Sequence, residues 1–129
     1  MKHTILMAFA VVLSLLLPSA IRGAESGKMH AHHVFFTLKD KSPAAQDALV
    51  AACYKYLKKQ QGVVSFAAGK RATAMTREVN DQDFDVSLHI VFKSTEDQNV
   101  YQKDAQHQKF IDENSANWAK VRVFDSNID

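Results

Sequence analysis

Hydrophobic and polar residues alternate with a period of two over residues 33–39 (HVFFTLK). Val34, Phe36 and Leu38 fall on one side and His33, Phe35 and Thr37 on the other, the pattern of a strand with two unlike faces. The period then lengthens. Ala45, Leu49, Ala52, Cys53, Tyr56 and Leu57 recur at helical spacing behind Ser42-Pro43, an N-cap followed by proline at the first helical position. Asp47, Lys55, Lys58 and Lys59 occupy the opposite side, so the predicted helix packs on one side only, and Gln61-Gly62 ends it because glycine tolerates the left-handed C-terminal conformation. A second strand is predicted over residues 63–72, broken at Gly69, followed by a polar loop over residues 75–83 long enough to be mobile. The clearest alternation spans residues 84–92, where Val86, Leu88, Ile90 and Phe92 oppose Asp85, Ser87, His89 and Val91. Ser94 with Asp97 three residues on resembles a capping box for a second helical stretch carrying Val100, Tyr101, Phe110 and Ile111, and residues 118–125 read as a closing strand.

The order strand, helix, strand, strand, helix, strand is the split βαβ pattern of an α+β, ferredoxin-like domain with a four-stranded antiparallel sheet. A short internal echo, His33-Val34-Phe35-Phe36 against His89-Ile90-Val91-Phe92, agrees with two similar halves. Two helices cover one face of such a sheet, leaving Phe35, Val91 and Phe124 on the other. An exposed apolar patch of that kind implies a partner or a ligand. Two sheets facing each other across a homodimer would bury it and enclose a cavity.

Composition changes the picture mainly at the N-terminus. Lys2-His3 precedes an apolar run from Ile5 to Leu17 and then small residues, the layout of a secretory signal peptide over residues 1–23. Thirteen helical residues span about 20 Å, short of the roughly 30 Å hydrocarbon core, so a retained membrane anchor is the weaker reading. The expected organisation is a signal peptide, a flexible leader over residues 24–29 and one domain over residues 30–129, exported to the periplasm or secreted. Cleavage after residue 23 would remove Lys2 and Arg22 and leave 14 basic against 14 acidic residues. That neutrality gives nucleic-acid binding no charge excess to work with. Cys53 has no second cysteine to pair with and lies on the apolar stripe of the first helix, which makes it a buried, inert thiol.

Five segments carry a family resemblance: HHVFFTLKD, GVVSFAAGK, DFDVSLHIVFKS, VYQKDAQHQKF and NWAKVRVFD. Together they resemble the stress-responsive dimeric α/β-barrel family over about residues 30–127. The resemblance implies a homodimer whose two sheets form a barrel, with functions ranging from stress-linked roles to catalysis. One catalytic member is olivetolic acid cyclase, a cofactor-free polyketide cyclase. Its pocket has a histidine at the start of the first strand, a tyrosine after the third strand and a histidine six residues beyond, roles that the resemblance carries to His33, Tyr101 and His107. The family often has His-Pro before that last histidine, where this chain has Asp104-Ala105. Six residues on an unbroken helix turn the second side chain to about 240° from the first, so Tyr101 and His107 converge only if the chain bends between them.

The residues also argue for themselves. A histidine exchanges protons near neutral pH and a tyrosine hydroxyl polarises a carbonyl, a pairing suited to enolisation or an aldol step. The competing reading makes these histidines structural and Tyr101 an interface aromatic. His89 falls on the same strand face as His33, so the candidate ligand pocket comprises His33, Phe35, His89, Val91, Tyr101 and His107. His30, His32 and His33 invite a metal, but a defined site needs further ligands and supporting hydrogen bonds that the sequence does not identify, so no metal is assigned. Lys39-Asp40-Lys41 and Lys58-Lys59 read as solvated surface, and with no P-loop, dinucleotide fingerprint or CxxC, no cofactor is expected. Two functions remain: an exported homodimeric module whose cavity holds a small apolar or aromatic molecule, which the sequence favours, and a cofactor-free polyketide cyclase or isomerase using a His/Tyr acid-base pair.

Overall fold

Strand β1 (Met29–Leu38) runs through the middle of a four-stranded sheet in the computed structural model, which describes residues 27–129. The expected signal peptide and the first part of the leader lie outside the described residues. Alternation alone starts this strand at His33, but it begins at Met29 because the far end of the last strand supplies ladder partners, Met29 opposite Ile128 and His30 opposite Asn127. Helix α1 (Pro43–Tyr56), strands β2 (Val63–Lys70) and β3 (Val86–Phe92), helices α2 (Thr95–Lys103) and α3 (Ala105–Asn114), a 3-10 turn over Ser115–Asn117 and strand β4 (Trp118–Ile128) follow. The strands are ordered β2-β3-β1-β4 and every neighbouring pair is antiparallel, the ferredoxin-like α+β arrangement.

The core lies between one face of the sheet and the helices. Val34, Phe36 and Leu38 of β1 and Val86, Leu88, Ile90 and Phe92 of β3 are buried there against Leu49, Ala52, Cys53 and Tyr56 of α1 and Phe110 of α3. Ser42 starts α1 as the sequence predicts, its side chain accepting the Ala45 N–H. The Cys53 thiol is fully buried and burial pushes its pKa up to about 12, which leaves it without a reactive thiolate. At the bulge where β1 shifts register against β4, the Asp85 carboxylate accepts the Leu38 N–H at 2.8 Å and satisfies a donor that the ladder releases.

Two local expectations differ from the structure. Helix α1 stops at Tyr56, and Gly62 instead turns the chain into β2 with φ of 77°; a Cβ there would also meet the Asp97 side chain at 2.2 Å. Strand β2 passes through Gly69 to Lys70, and its irregularity falls between Val63 and Ser65. The polar loop before β3 is tied to β4 by Arg122–Asp81 and Lys120–Asp83 ion pairs of 2.6 and 2.7 Å.

Candidate functional site

Strand parity decides which histidines meet. Side chains at positions 32, 34 and 36 share one face of β1, so His32 lies with Val34 and Phe36 beneath the helices, while His33 lies with Phe35 on the opposite face. The register sets Asp125, Val123 and Val121 of β4 opposite His32, Val34 and Phe36. These residues, with elements of α2 and α3, line a cavity of about 340 Å³. Its wall is largely apolar, with Leu88, Phe110, Ile111 and Trp118 among its members, and its polar groups include His32, Tyr101, His107 and Asp125.

Tyr101 and His107 reach the same cavity because the helical stretch breaks between them. Asp104 adopts φ of −67° and ψ of 140°, ends α2 and caps α3 by accepting the Gln106 N–H at 2.7 Å. An N-cap aspartate thus supplies the bend that lets Tyr101 and His107 converge. The two rings stack, with centroids 4.3 Å apart and planes 25° apart. Tyr101 is 2% exposed, and burial raises its hydroxyl pKa well above the usual phenol value, so the proton stays on. Burial likewise lowers the pKa of His107, with the Gln102 carbonyl opposing and the nearby His32 adding to the fall. His107 is therefore neutral near pH 7. Its Nδ1 lies 3.4 Å from that carbonyl oxygen, a long donor contact that leaves Nε2 as the acceptor nitrogen.

His32, named from the sequence only as a metal candidate, joins Tyr101 and His107 in lining this cavity. Its Nδ1 donates to the Asp125 carboxylate at 2.7 Å, its ring meets Tyr101 edge-on at 5.8 Å, and the residue lines the cavity with Nε2 not engaged by Asp125. His30 Nε2 donates to the same carboxylate oxygen at 3.0 Å. Burial opposes ionisation of Asp125, but the hydrogen bonds from His32 and His30 outweigh it and hold the carboxyl below its ordinary pKa. A His32–Asp125 dyad of this kind fixes the imidazole tautomer and the orientation of the ring. Parity could have singled out His32, since it lies two residues before Val34. Asp125 needed the pairing of β1 with β4.

The structure divides the six sequence-predicted pocket residues between two faces. Tyr101 and His107 line the helix-side cavity, whereas His33, Phe35, His89 and Val91 lie on the open face of the sheet. His33 and His89 are direct cross-strand partners with their Nδ1 atoms 2.8 Å apart, and His89 Nε2 lies 3.0 Å from the Ser87 hydroxyl. His33 is thus separated from Tyr101 and His107 by the sheet itself. Phe35 packs edge-on against Phe84 and Phe124, and those three rings with Asp81 and Arg122 border a second hollow of about 290 Å³.

Residues 31–128 match the family described as the stress responsive A/B barrel domain. No curated protein matches the chain. The fold is similar to that of a dimeric ferredoxin-like protein of unknown function from Thermobifida fusca, with TM-score 0.66 and 14% identity over 79% of this chain and 92% of that one. A Dabb family protein with a ferredoxin-like fold from Mesorhizobium loti gives TM-score 0.64 and 20% identity over 77% and 95% of the two chains. A hydroxynitrile lyase from Passiflora edulis gives TM-score 0.64 and 18% identity over 79% and 94%. Identities this low speak to the fold alone, but the family match covers most of the sequence, and by it the chain belongs to the stress responsive A/B barrel domain family.

Proposed function

We propose that the protein is an exported homodimer whose helix-side cavity binds a small apolar or aromatic carbonyl compound and moves a proton beside that carbonyl, as a cofactor-free cyclase or isomerase does. One observation carries the reading: Tyr101, His107 and an aspartate-held His32 converge on a single largely apolar cavity. His107 Nε2 takes a proton from the carbon next to the carbonyl, and the C–H electron pair passes into the enolate. The Tyr101 hydroxyl donates to the oxygen on which charge develops, in a dry setting where such a bond counts for more than in water. His32, held by Asp125, returns a proton or takes a second one. A fold that also serves a hydroxynitrile lyase in Passiflora edulis is compatible with lyase or aldol chemistry of this kind.

Dimerisation is proposed from the open face. Phe124 is 53% exposed in a single chain, and each such side chain left in water forgoes roughly 1.5 to 3 kcal/mol of burial. The Thermobifida fusca protein of the same fold is described as dimeric. Export is proposed from the apolar N-terminal run and the small residues after it.

The test is a screen of enolisable and poly-β-keto compounds read by mass change, on wild type beside His107→Ala, Tyr101→Phe and Asp125→Asn. Turnover should fall by about 10²-fold to 10⁴-fold in His107→Ala with folding retained, and Tyr101→Phe should lower rate more than stability. Turnover unchanged by all three would remove these residues from the mechanism. The second reading, a binding module, is favoured by how apolar the cavity wall is. It requires an inert wild type that retains aromatic ligands.

A further inference from the structure

Three potential metal-binding side chains lie together at the edge of the helix-side cavity. His30 and His32 are two residues apart on β1 and so share a face, and Asp125 sits directly opposite His32 on β4. One donor atom from each of His30, His32 and Asp125 lies within 4.8 Å of the other two, and His30 Nε2 and His32 Nδ1 both contact the same Asp125 oxygen. We propose that these three residues form a binding site for a late first-row divalent cation of the zinc class. The proposal does not rest on the catalytic reading above.

The chemistry of the donors selects the cation. Two imidazoles and one carboxylate suit zinc and its neighbours, whereas calcium and magnesium call for oxygen shells. Both histidine side chains are nine-tenths or more buried and come from the central strand, so two of the three ligands are already held in place. Asp125 carries the single negative charge and is 43% exposed at its side chain, which leaves it free to adjust. The donors now stand 2.7 and 3.0 Å from the shared oxygen, and a cation with bonds of about 2.0 to 2.2 Å would spread them by a few tenths of an ångström. A separate hollow of about 310 Å³, bordered by His30, Thr95, Asp125, Ser126 and Asn127, opens on the same group and offers room for water ligands.

Protons and the cation compete for the same atoms. Without metal, His30 Nε2 and His32 Nδ1 each carry a hydrogen toward Asp125. To coordinate, each of these nitrogens must give up that hydrogen, which a ring does by carrying it on its other nitrogen. For His30 the exchange leaves one unpartnered nitrogen either way, because its Nδ1 is buried with no hydrogen-bond partner. For His32, which lines the cavity, it converts Nε2 from acceptor to donor. Metal occupancy would then switch the character of one cavity wall.

The experiment uses untagged protein stripped with a chelator and titrated with Co(II), read by visible absorption. One equivalent per chain should give the intense bands of a four- or five-coordinate site, and Zn(II) should displace it. His30→Ala and Asp125→Asn should each weaken binding by roughly 10-fold to 100-fold or more, while His33→Ala, across the sheet, should leave it unchanged. Should His30→Ala fail to fold, Asp125→Asn at its part-exposed side chain carries the comparison. A spectrum of aquated Co(II) alone, or affinity untouched by Asp125→Asn, would overturn the proposal whatever the protein's catalytic activity.

Discussion

The histidines of this domain do different work according to what surrounds each ring. His107 is held below its ordinary pKa of 6.5 mainly by burial, and His89 by burial and then by the neighbouring His33. In the unfolded chain both rings titrate near 6.5, so between that value and their lower folded values the unfolded chain binds protons that the folded one refuses. Their contribution to stability is complete above pH 6.5 and drains away as pH falls through the folded values. Thermal melts should therefore show Tm declining on acidification below pH 6.5, with His107→Gln and His89→Gln each flattening the decline. Asp125 acts in a later window, its stabilising share being lost only as pH drops below the ordinary carboxylate value of 3.8. A Tm that holds steady from pH 7 to 5 in wild type would contradict this account of the two rings.

At the scale of elements, the break at Asp104 matters most. Its ψ of 140° is the extended value favoured before a proline, and Ala105 is the first residue of α3, where proline fits best. Ala105→Pro should accordingly raise stability by about 0.4 to 1 kcal/mol in denaturant titrations and leave any turnover intact. Asp104→Ala should cost about 1 kcal/mol and, by letting the helix run on, turn His107 away from Tyr101. The four strands and α1 could be read from the sequence because their periods of two and 3.6 are locally written in Val34, Phe36 and Leu38 and in Leu49, Cys53 and Tyr56. The break could not be read so directly, since alanine at 105 is a strong helix former and only the capping tendency of Asp104 argues against it. The place of His32 in the cavity was hidden by starting the alternation at His33, one residue too late to include it, and the parity of β1 recovers it. Asp125 is different in kind: nothing in local pattern says that it faces His32, because register between strands 93 residues apart is a property of the folded sheet.

For the whole molecule, the open face of the sheet is the feature that most needs company. Phe124→Asp should place a charge beside Phe35 and Phe84 and their counterparts across the proposed dimer. Light scattering at micromolar concentration should give twice the chain mass for wild type and a shift toward single-chain mass for the variant. A wild type that stays monomeric and soluble there would remove the barrel from the description. Strand β4 then acquires an unusual position. Val121, Val123 and Asp125 form part of the cavity wall, while Arg122 and Phe124, between them on the same strand, look out on the other side. One edge strand is thus the common partition between the two proposed binding events. By reciprocity, any occupant of the cavity that displaces β4 and changes the dimer dissociation constant by some factor must have its own affinity changed by that same factor when the protomers associate. Dilution would then serve as an effector of the site, and occupancy as a regulator of assembly, without any residue being shared between the two.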